Sequence, residues 1–319
     1  MPGLTGLHVD RELSNVSIKY RNGNYIADKL APIIKVKKFS DLIPVYDRSN
    51  FRIPKALRQT RSRSSEIDWG ANMDRYICEQ YALSVAIDDA ERQNADEPFN
   101  LDVDSTELVT DCLMLNREYQ VASYVLNSSN ADWTKYGTDY SATHFVNLAA
   151  AWDDRAGADP RGDIYFGKFV IWRDARINPN NLFLPVEACY KLAQTAQIDE
   201  LRKYTDPNLV SDSNIPTKLW GLNVSEAQTT FNAAAEGATA ASFQEVWGNN
   251  AIMTYTNPTT MTLRSLTAVA TFQAEQFQTV RWREEWRHCD LIEVRSAWGI
   301  KMISPACIFV YANAYTATV

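Results

Sequence analysis

Between Arg48 and Arg63 the chain places six cations, Arg48, Arg52, Lys55, Arg58, Arg61 and Arg63, with no acidic residue among them and few apolar side chains to bury. A segment of that kind cannot build a core of its own and calls for a partner surface. A surface of opposite sign follows, where Asp88, Asp89, Glu91, Asp96, Glu97, Asp102, Asp104, Glu107 and Asp111 are opposed within their run by Arg92 alone. One copy can therefore offer its basic arm to the acidic shoulder of another, formed by Asp88, Asp89, Glu91, Asp96 and Glu97. Such complementarity steers encounter and sets register more than it adds affinity. The plainer alternative is that both are solvated faces; the beta-like sequence on each side of the arm favours the contact.

A chain of 319 residues, 45% hydrophobic and 11% aromatic, can bury a sizeable core in one large or two ordinary domains. Its net charge of −7 argues against a general nucleic-acid binder, which needs a dominant basic surface to neutralise phosphates. The same balance suits a protein that lies near nucleic acid without sticking to it. No apolar run approaches the roughly 18 to 20 residues of a membrane helix, and the N-terminus lacks the order of a signal peptide, so a cytoplasmic protein is expected. Cys78, Cys112, Cys189, Cys289 and Cys307 are scattered and form no CxxC pair. Reduced thiols are expected, with neither disulfide nor metal site.

Along the chain, residues 1 to about 35 are mixed and polar, with turn chemistry at Asn22-Gly23-Asn24, and predict an N-terminal arm. Extended chain is expected from Phe39 to Ile53 and, after the basic stretch, where Ile77, Tyr81, Leu83, Val85 and Ile87 nearly alternate. Two extended legs joined by a basic tip make a protruding hairpin, with Pro44 and Pro54 suited to an edge. Asp104 with Glu107 resembles a capping box, and Leu108, Val109, Cys112, Leu113, Asn116, Tyr119, Ala122, Val125 and Leu126 then share a helical face. That helix, about 22 residues, spans roughly 33 Å, a strut rather than a core helix. Asp153 to Gly167 turns polar and reads as a crossing between domains, Phe169 to Trp172 as a short strand, and Pro185 as the start of a helix to about Ala193. Ile252 to Tyr255, Phe272 to Trp286, Leu291 to Ile303 and Ala306 to Tyr311 read as strands, with a turn near His288. Helix and strand mix without a βαβ rhythm, so the expected class is α+β.

Catalytic chemistry has no anchor. The chain lacks GxGxxG, GxxxxGK[ST], HExxH and GxSxG, and none of His8, His144 and His288 sits in a nucleophile context. Of the carboxylate pairs, Glu284 and Glu285 would point to opposite faces of a strand and not converge on a substrate. Trp282 and Trp286 share a strand face by their spacing and could mimic a sugar platform, although packing is the commoner use. No catalytic, cofactor-binding or metal-binding residue is assigned, and no cofactor is expected.

The order of parts resembles the major capsid proteins of tailed bacteriophages with the Hong Kong 97-like fold. The resemblance covers most of the chain and rests on diffuse patterns taken in order: YIADKLAPIIKV at Tyr25–Val36, DRYICEQYAL at Asp74–Leu83, DLIEVR at Asp290–Arg295 and SPACIFVY at Ser304–Tyr311. It implies an N-terminal arm over residues 1–39, an E-loop over 40–75, and a peripheral domain over 76–164 containing a spine helix at 104–127. An axial domain over 165–265 would follow, and residues 266–319 would return as strands to the peripheral domain.

The resemblance further implies a structural, non-enzymatic subunit that assembles with itself as hexamers and pentamers into an icosahedral shell around double-stranded DNA. It would have portal, scaffolding and decoration proteins as partners and no membrane contact. The virion capsid would be its location, with assembly in the bacterial host cytoplasm. The basic tip would then lie over a neighbour's acidic shoulder, and Arg281, Arg283, Glu284, Glu285 and Arg287 become candidate three-fold or capsomer contacts. Some members crosslink an E-loop lysine to an asparagine with help from a glutamate. Lys55 is the only lysine between Lys38 and Lys135, but no asparagine lies between Asn257 and Asn313, so no isopeptide network is expected. An encapsulin-like protein compartment is the nearest alternative, and a carbohydrate-binding or carbohydrate-active protein the alternative from another class.

Overall fold

The computed structural model describes residues 25–46, 53, 56–64, 66, 71–94, 100–135, 138–148, 150–154, 157–204, 210, 215–234, 242–257 and 266–316. Asn22-Gly23-Asn24 and most of the N-terminal arm lie outside them. In chain order the first elements are α1 (Ala27–Leu30), β1 (Ile33–Lys35), β2 (Ser40–Tyr46), β3 (Ala71–Ile77), β4 (Glu79–Asp88), α2 (Asp89–Asn94) and α3 (Leu101–Leu126). Then come β5 (Thr134–Lys135), β6 (Thr138–Asp139), α4 (Ser141–His144), β7 (Phe145–Asn147), α5 (Pro160–Ala175), β8 (Asn181–Pro185), α6 (Val186–Leu192) and α7 (Ala196–Lys203). The chain closes through β9 (Lys218–Leu219), β10 (Leu222–Ala227), β11 (Thr230–Asn232), β12 (Phe243–Glu245), β13 (Ala251–Thr254), β14 (Val269–Glu284), β15 (Cys289–Met302) and β16 (Ile308–Ala312).

Two sheets organise these elements. A four-stranded sheet runs β1-β14-β15-β4, built on the long antiparallel β14–β15 hairpin, and a six-stranded sheet runs β7-β16-β13-β8-β10-β9. Helix α3 covers one face of the first, packing Val109 and Leu113 against Phe277, Val294 and Trp298. The larger core surrounds the second sheet and is continuous from Ile26 to Ala314, with Trp133, Trp152, Trp247, Phe183 and Phe309 fully buried. Among the described residues β2 and β3 pair only with each other, from Ser40 opposite Ile77 to Tyr46 opposite Ala71, so the ribbon's second leg is Ala71–Ile77 and not the expected Ile77 to Ile87 stretch, most of which forms β4 and pairs with β15 in the four-stranded sheet.

Several sequence expectations are corrected. The helix expected from Asp104 starts at Leu101, where the Asn100 side chain accepts from the Val103 amide. Its buried stripe is Thr106, Val109, Thr110, Leu113, Arg117, Glu118, Val121, Ala122 and Val125, while Leu108 is 60% exposed and Cys112 and Tyr119 also face outward. The two threonines can join the stripe because their hydroxyls are satisfied inside. The Thr106 and Thr110 hydroxyls donate to the carbonyls of Asp102 (2.7 Å) and Thr106 (2.6 Å) one turn back.

Phe169 to Trp172 is not a strand but part of helix α5, which also absorbs Pro160 to Gly167 of the expected crossing. Asp159 caps that helix by accepting from the Gly162 amide at 3.0 Å, and Pro160 occupies its first position, so four β-prone residues are overruled by a strong start. The expected division between residues 164 and 165 falls inside this helix. Strand β14 stops at Glu284, leaving Trp286 in the turn Glu285–Arg287 before His288, which adopts φ 50°, so Trp282 and Trp286 do not share a strand face. The last strands also part company: β15 lies in the four-stranded sheet, but β16 lies in the six-stranded one, between β7 and β13.

Candidate subunit-contact surfaces

The β2–β3 ribbon is two-faced. Inward, Tyr76 stacks on Phe272 at 4.4 Å between ring centres, and Ile43 packs against the same small cluster. Outward, Leu42, Met73 and Ile77 stand exposed beside Arg75, so the ribbon carries an apolar face that the described residues leave uncovered. Its base is fixed by charge. The Asp74 carboxylate accepts from Lys135 Nζ at 2.7 Å and lies 3.3 Å from Lys301 Nζ. Asp132 pairs with Lys301 at 2.8 Å and accepts from the Tyr124 hydroxyl, which in turn accepts from the Met302 amide at 3.1 Å. Lys135 Nζ also donates to the Met302 carbonyl. Partial burial disfavours the charged form of Asp74, but the Lys135 hydrogen bond and charge, helped by Lys301, outweigh it and hold the carboxyl below its ordinary value.

Of the predicted basic arm, Arg58, Arg61 and Arg63 are exposed, whereas Arg48, Arg52 and Lys55 lie outside the described residues. A local turn presents them: Arg58 Nε donates to the Ser62 carbonyl at 2.7 Å, the Ser62 amide to the Gln59 carbonyl at 3.1 Å, and Arg61 takes φ 66°.

The acidic shoulder is partly spoken for within its own chain. Asp89 receives both terminal nitrogens of Arg283, at 2.9 and 2.7 Å. Asp102 and Asp290 share Arg92 and Arg281: Arg92 lies 2.7 Å from Asp102 and 2.6 Å from Asp290, Arg281 3.1 and 2.7 Å from the same two. The Arg281 hydrogen bond, against a smaller desolvation penalty and with help from Arg92, keeps the Asp290 carboxyl below its ordinary value. Asp88 and Glu91 remain on the surface, and Asp96 and Glu97 lie outside the described residues.

Of the candidate capsomer contacts, Arg281 and Arg283 therefore serve this intrachain network, which ties α2 and α3 to the β14–β15 hairpin. Arg287 pairs with Glu284 at 3.3 Å and lies over the Trp286 ring, while Glu285, exposed, accepts from Arg283 Nε at 3.1 Å and Trp286 projects into solvent. Sequence inspection missed Asp290 and Asp102 as partners of these arginines. Strand pairing, which sets Arg283 opposite Asp290, was the signal that would have found the first.

Comparison with known proteins gives these surfaces a context. No protein-family model matches the chain. The major capsid protein of Burkholderia phage BcepMu is 26% identical over 251 residues, spanning 77% of this chain and 76% of that protein. Among solved structures, a phage-related protein of Bordetella bronchiseptica RB50 superposes with a TM-score of 0.71 at 21% identity, covering 97% of this chain and 98% of that one. The capsid of cyanophage P-SCSP1u gives 0.63 at 12% identity over 100% and 93%. The chain is thus similar in sequence to phage major capsid proteins, and it shares the Hong Kong 97-like fold of phage capsid structures.

Proposed function

We propose that this chain is the shell-forming subunit of a phage head, assembling as hexamers and pentamers into an icosahedral shell around double-stranded DNA without covalent crosslinks. The observation that carries the proposal is the β2–β3 ribbon with its exposed Leu42, Met73 and Ile77 and its cationic tip, on a chain related to phage capsid subunits. A monomer gains nothing from such an extension, whereas a neighbour covers it on both apolar and electrostatic grounds. In this reading residues 40–75 act as the E-loop, α3 as the spine, and Asp88 and Glu91 remain available to receive Arg58 and Arg61 of a neighbour. Portal, scaffolding and decoration proteins would complete the head in the host cytoplasm. The compartment alternative is disfavoured by the kinship with a phage major capsid protein.

Expression of the chain with and without its own phage's scaffolding protein, followed by size exclusion and negative-stain electron microscopy, tests the reading. Closed shells or capsomer rings are expected. A monodisperse monomer under every condition would overturn it. Arg58→Glu combined with Arg61→Glu should leave a folded subunit that no longer forms normal particles, and unchanged particles would remove the tip from the contact.

A further inference from the structure

Beyond β16 the chain continues as a strap, residues 313–316, with Ala314 and Tyr315 buried in the fold. It is tied on both sides. The Trp152 amide donates to the Ala314 carbonyl at 2.8 Å, the Ala314 amide to the Asn249 carbonyl at 2.8 Å, and Asn249 Nδ2 to Asn313 Oδ1 at 2.9 Å. The Tyr315 hydroxyl reaches both Glu245 Oε2, at 2.8 Å, and the Gly248 carbonyl, at 3.4 Å, so one proton faces two acceptors. Glu245 ends β12 and is half-buried. The groups that meet it are neutral or negative: Glu187 in the first turn of α6, whose amide also donates to the Glu245 carboxyl, Cys189 further along that helix, and Tyr315 of the strap. Glu226 of β10 adds its charge at Cys189 from the other side, and Lys191 stands in the last turn of α6, away from the end that meets Glu245.

We propose that Glu245 is a proton-operated latch on the C-terminal strap, tightened when its carboxyl takes a proton from water and loosened when it gives the proton back. Protonation turns the carboxylate into a donor. Glu245 then gives to the Tyr315 oxygen, and Tyr315 gives its own proton to the Gly248 carbonyl, which leaves neither acceptor short. The repulsion between Glu245 and Glu187 disappears in the same step. Burial pushes the Glu245 carboxyl above its ordinary value; the Tyr315 bond and the Glu187 amide oppose that shift, and the Glu187 charge adds to it. A carboxyl raised in this way binds more protons folded than unfolded, so the strap is held most firmly below the unfolded value of about 4.3 and loses that increment as pH rises through the folded value. Asp74, held below its ordinary value at the base of the β2–β3 ribbon, responds in the opposite sense, so acid loosens the ribbon while it tightens the strap.

The test uses the full-length, unassembled subunit, so its outcome bears on the strap and leaves the shell-subunit reading untouched. Hydrogen exchange at the Trp152 and Ala314 amides, corrected for intrinsic rate, is followed from about pH 4.5 to about pH 7.5. The opening equilibrium is expected to rise at least about threefold across that range, the change produced by half a pH unit of difference between folded and unfolded carboxyl. Glu245→Gln keeps an acceptor and a donor without the charge, and is expected to give a flat profile as protected at pH 7.5 as the parent is at pH 4.5. Glu187→Gln is expected to keep the rise but move it to lower pH, because a charge that holds the proton on Glu245 is gone. A flat profile in the parent, an unchanged slope in the Glu245→Gln chain, or a Glu187→Gln profile that stays in place or moves to higher pH would each overturn the proposal. The same slope at amides of the β14–β15 hairpin would assign the response to the whole fold and overturn it as well.

Discussion

Glu118 sits fully buried on α3, yet every oxygen has a donor. Oε1 accepts from the Ile26 amide at 3.1 Å and the Trp247 indole at 2.7 Å, and Oε2 from the Ala27 amide at 2.8 Å. Desolvation pushes its carboxyl above the ordinary range, only partly offset by these bonds. The charge is tolerated because it joins three separate pieces of chain: the start of α1, the long helix and the turn before β13. Glu118→Ala would strand those donors and is expected to cost about 3 kcal/mol in chemical denaturation, with Glu118→Gln costing less because one acceptor survives. The neighbouring Arg117, nearly buried, pairs with Asp28 at 2.7 Å and reinforces the same junction. Nothing local in the sequence marks either residue, since both occupy ordinary helical positions and their partners lie 89 to 129 residues away.

Among the elements, the ribbon depends most on its base. A Cβ on Gly299 would lie 1.9 Å from the Ile77 carbonyl, so β15 passes the β3–β4 junction only because this position is glycine. Gly299→Ala is expected to destabilise by about 1–3 kcal/mol, read as a lower unfolding midpoint, because backbone rather than a side chain must give way. Asp74 adds a pH response. Its folded value lies below the unfolded value of about 3.9, so the stabilisation is full above that pH and is lost as pH falls through the folded value. Intrinsic-rate-corrected hydrogen exchange should therefore accelerate in β2 and β3 below about pH 4 before the four-stranded sheet responds. Asp74→Asn should show the faster exchange already at neutral pH, and a flat profile in both proteins would remove Asp74 from this role.

For the whole molecule, the proposed assembly is noncovalent. Mature particles are expected to run as one subunit-sized band on denaturing gels, and a ladder of multimers would contradict the absence of crosslinks. If tip and shoulder meet across subunits, assembly yield should fall as salt rises from 50 to several hundred mM, since screening at about 0.15 M already shortens charge interactions to roughly 8 Å. The intrachain network of Arg92, Arg281 and Arg283 should resist the same salt better, because Asp290 within it is nearly buried.

What the sequence determined by itself is what short-range chemistry encodes: the long helix, the extended chain of the ribbon's first leg and of β4, though not which strand pairs with that leg, the closing strands near Val269–Glu284, Cys289–Met302 and Ile308–Ala312, and the segregation of charge into arm and shoulder. Periodicity of 2 or 3.6 and uninterrupted like charge are local signals, readable without a partner. Tertiary structure alone decided that Phe169 to Trp172 turns with a helix, that β16 leaves its neighbours for the six-stranded sheet, and that Asp89 answers Arg283 instead of standing open. Each of these follows from contacts between residues far apart in the chain, where burial and hydrogen-bond satisfaction outweigh intrinsic preference by more than the fraction of a kcal/mol that propensity supplies per residue.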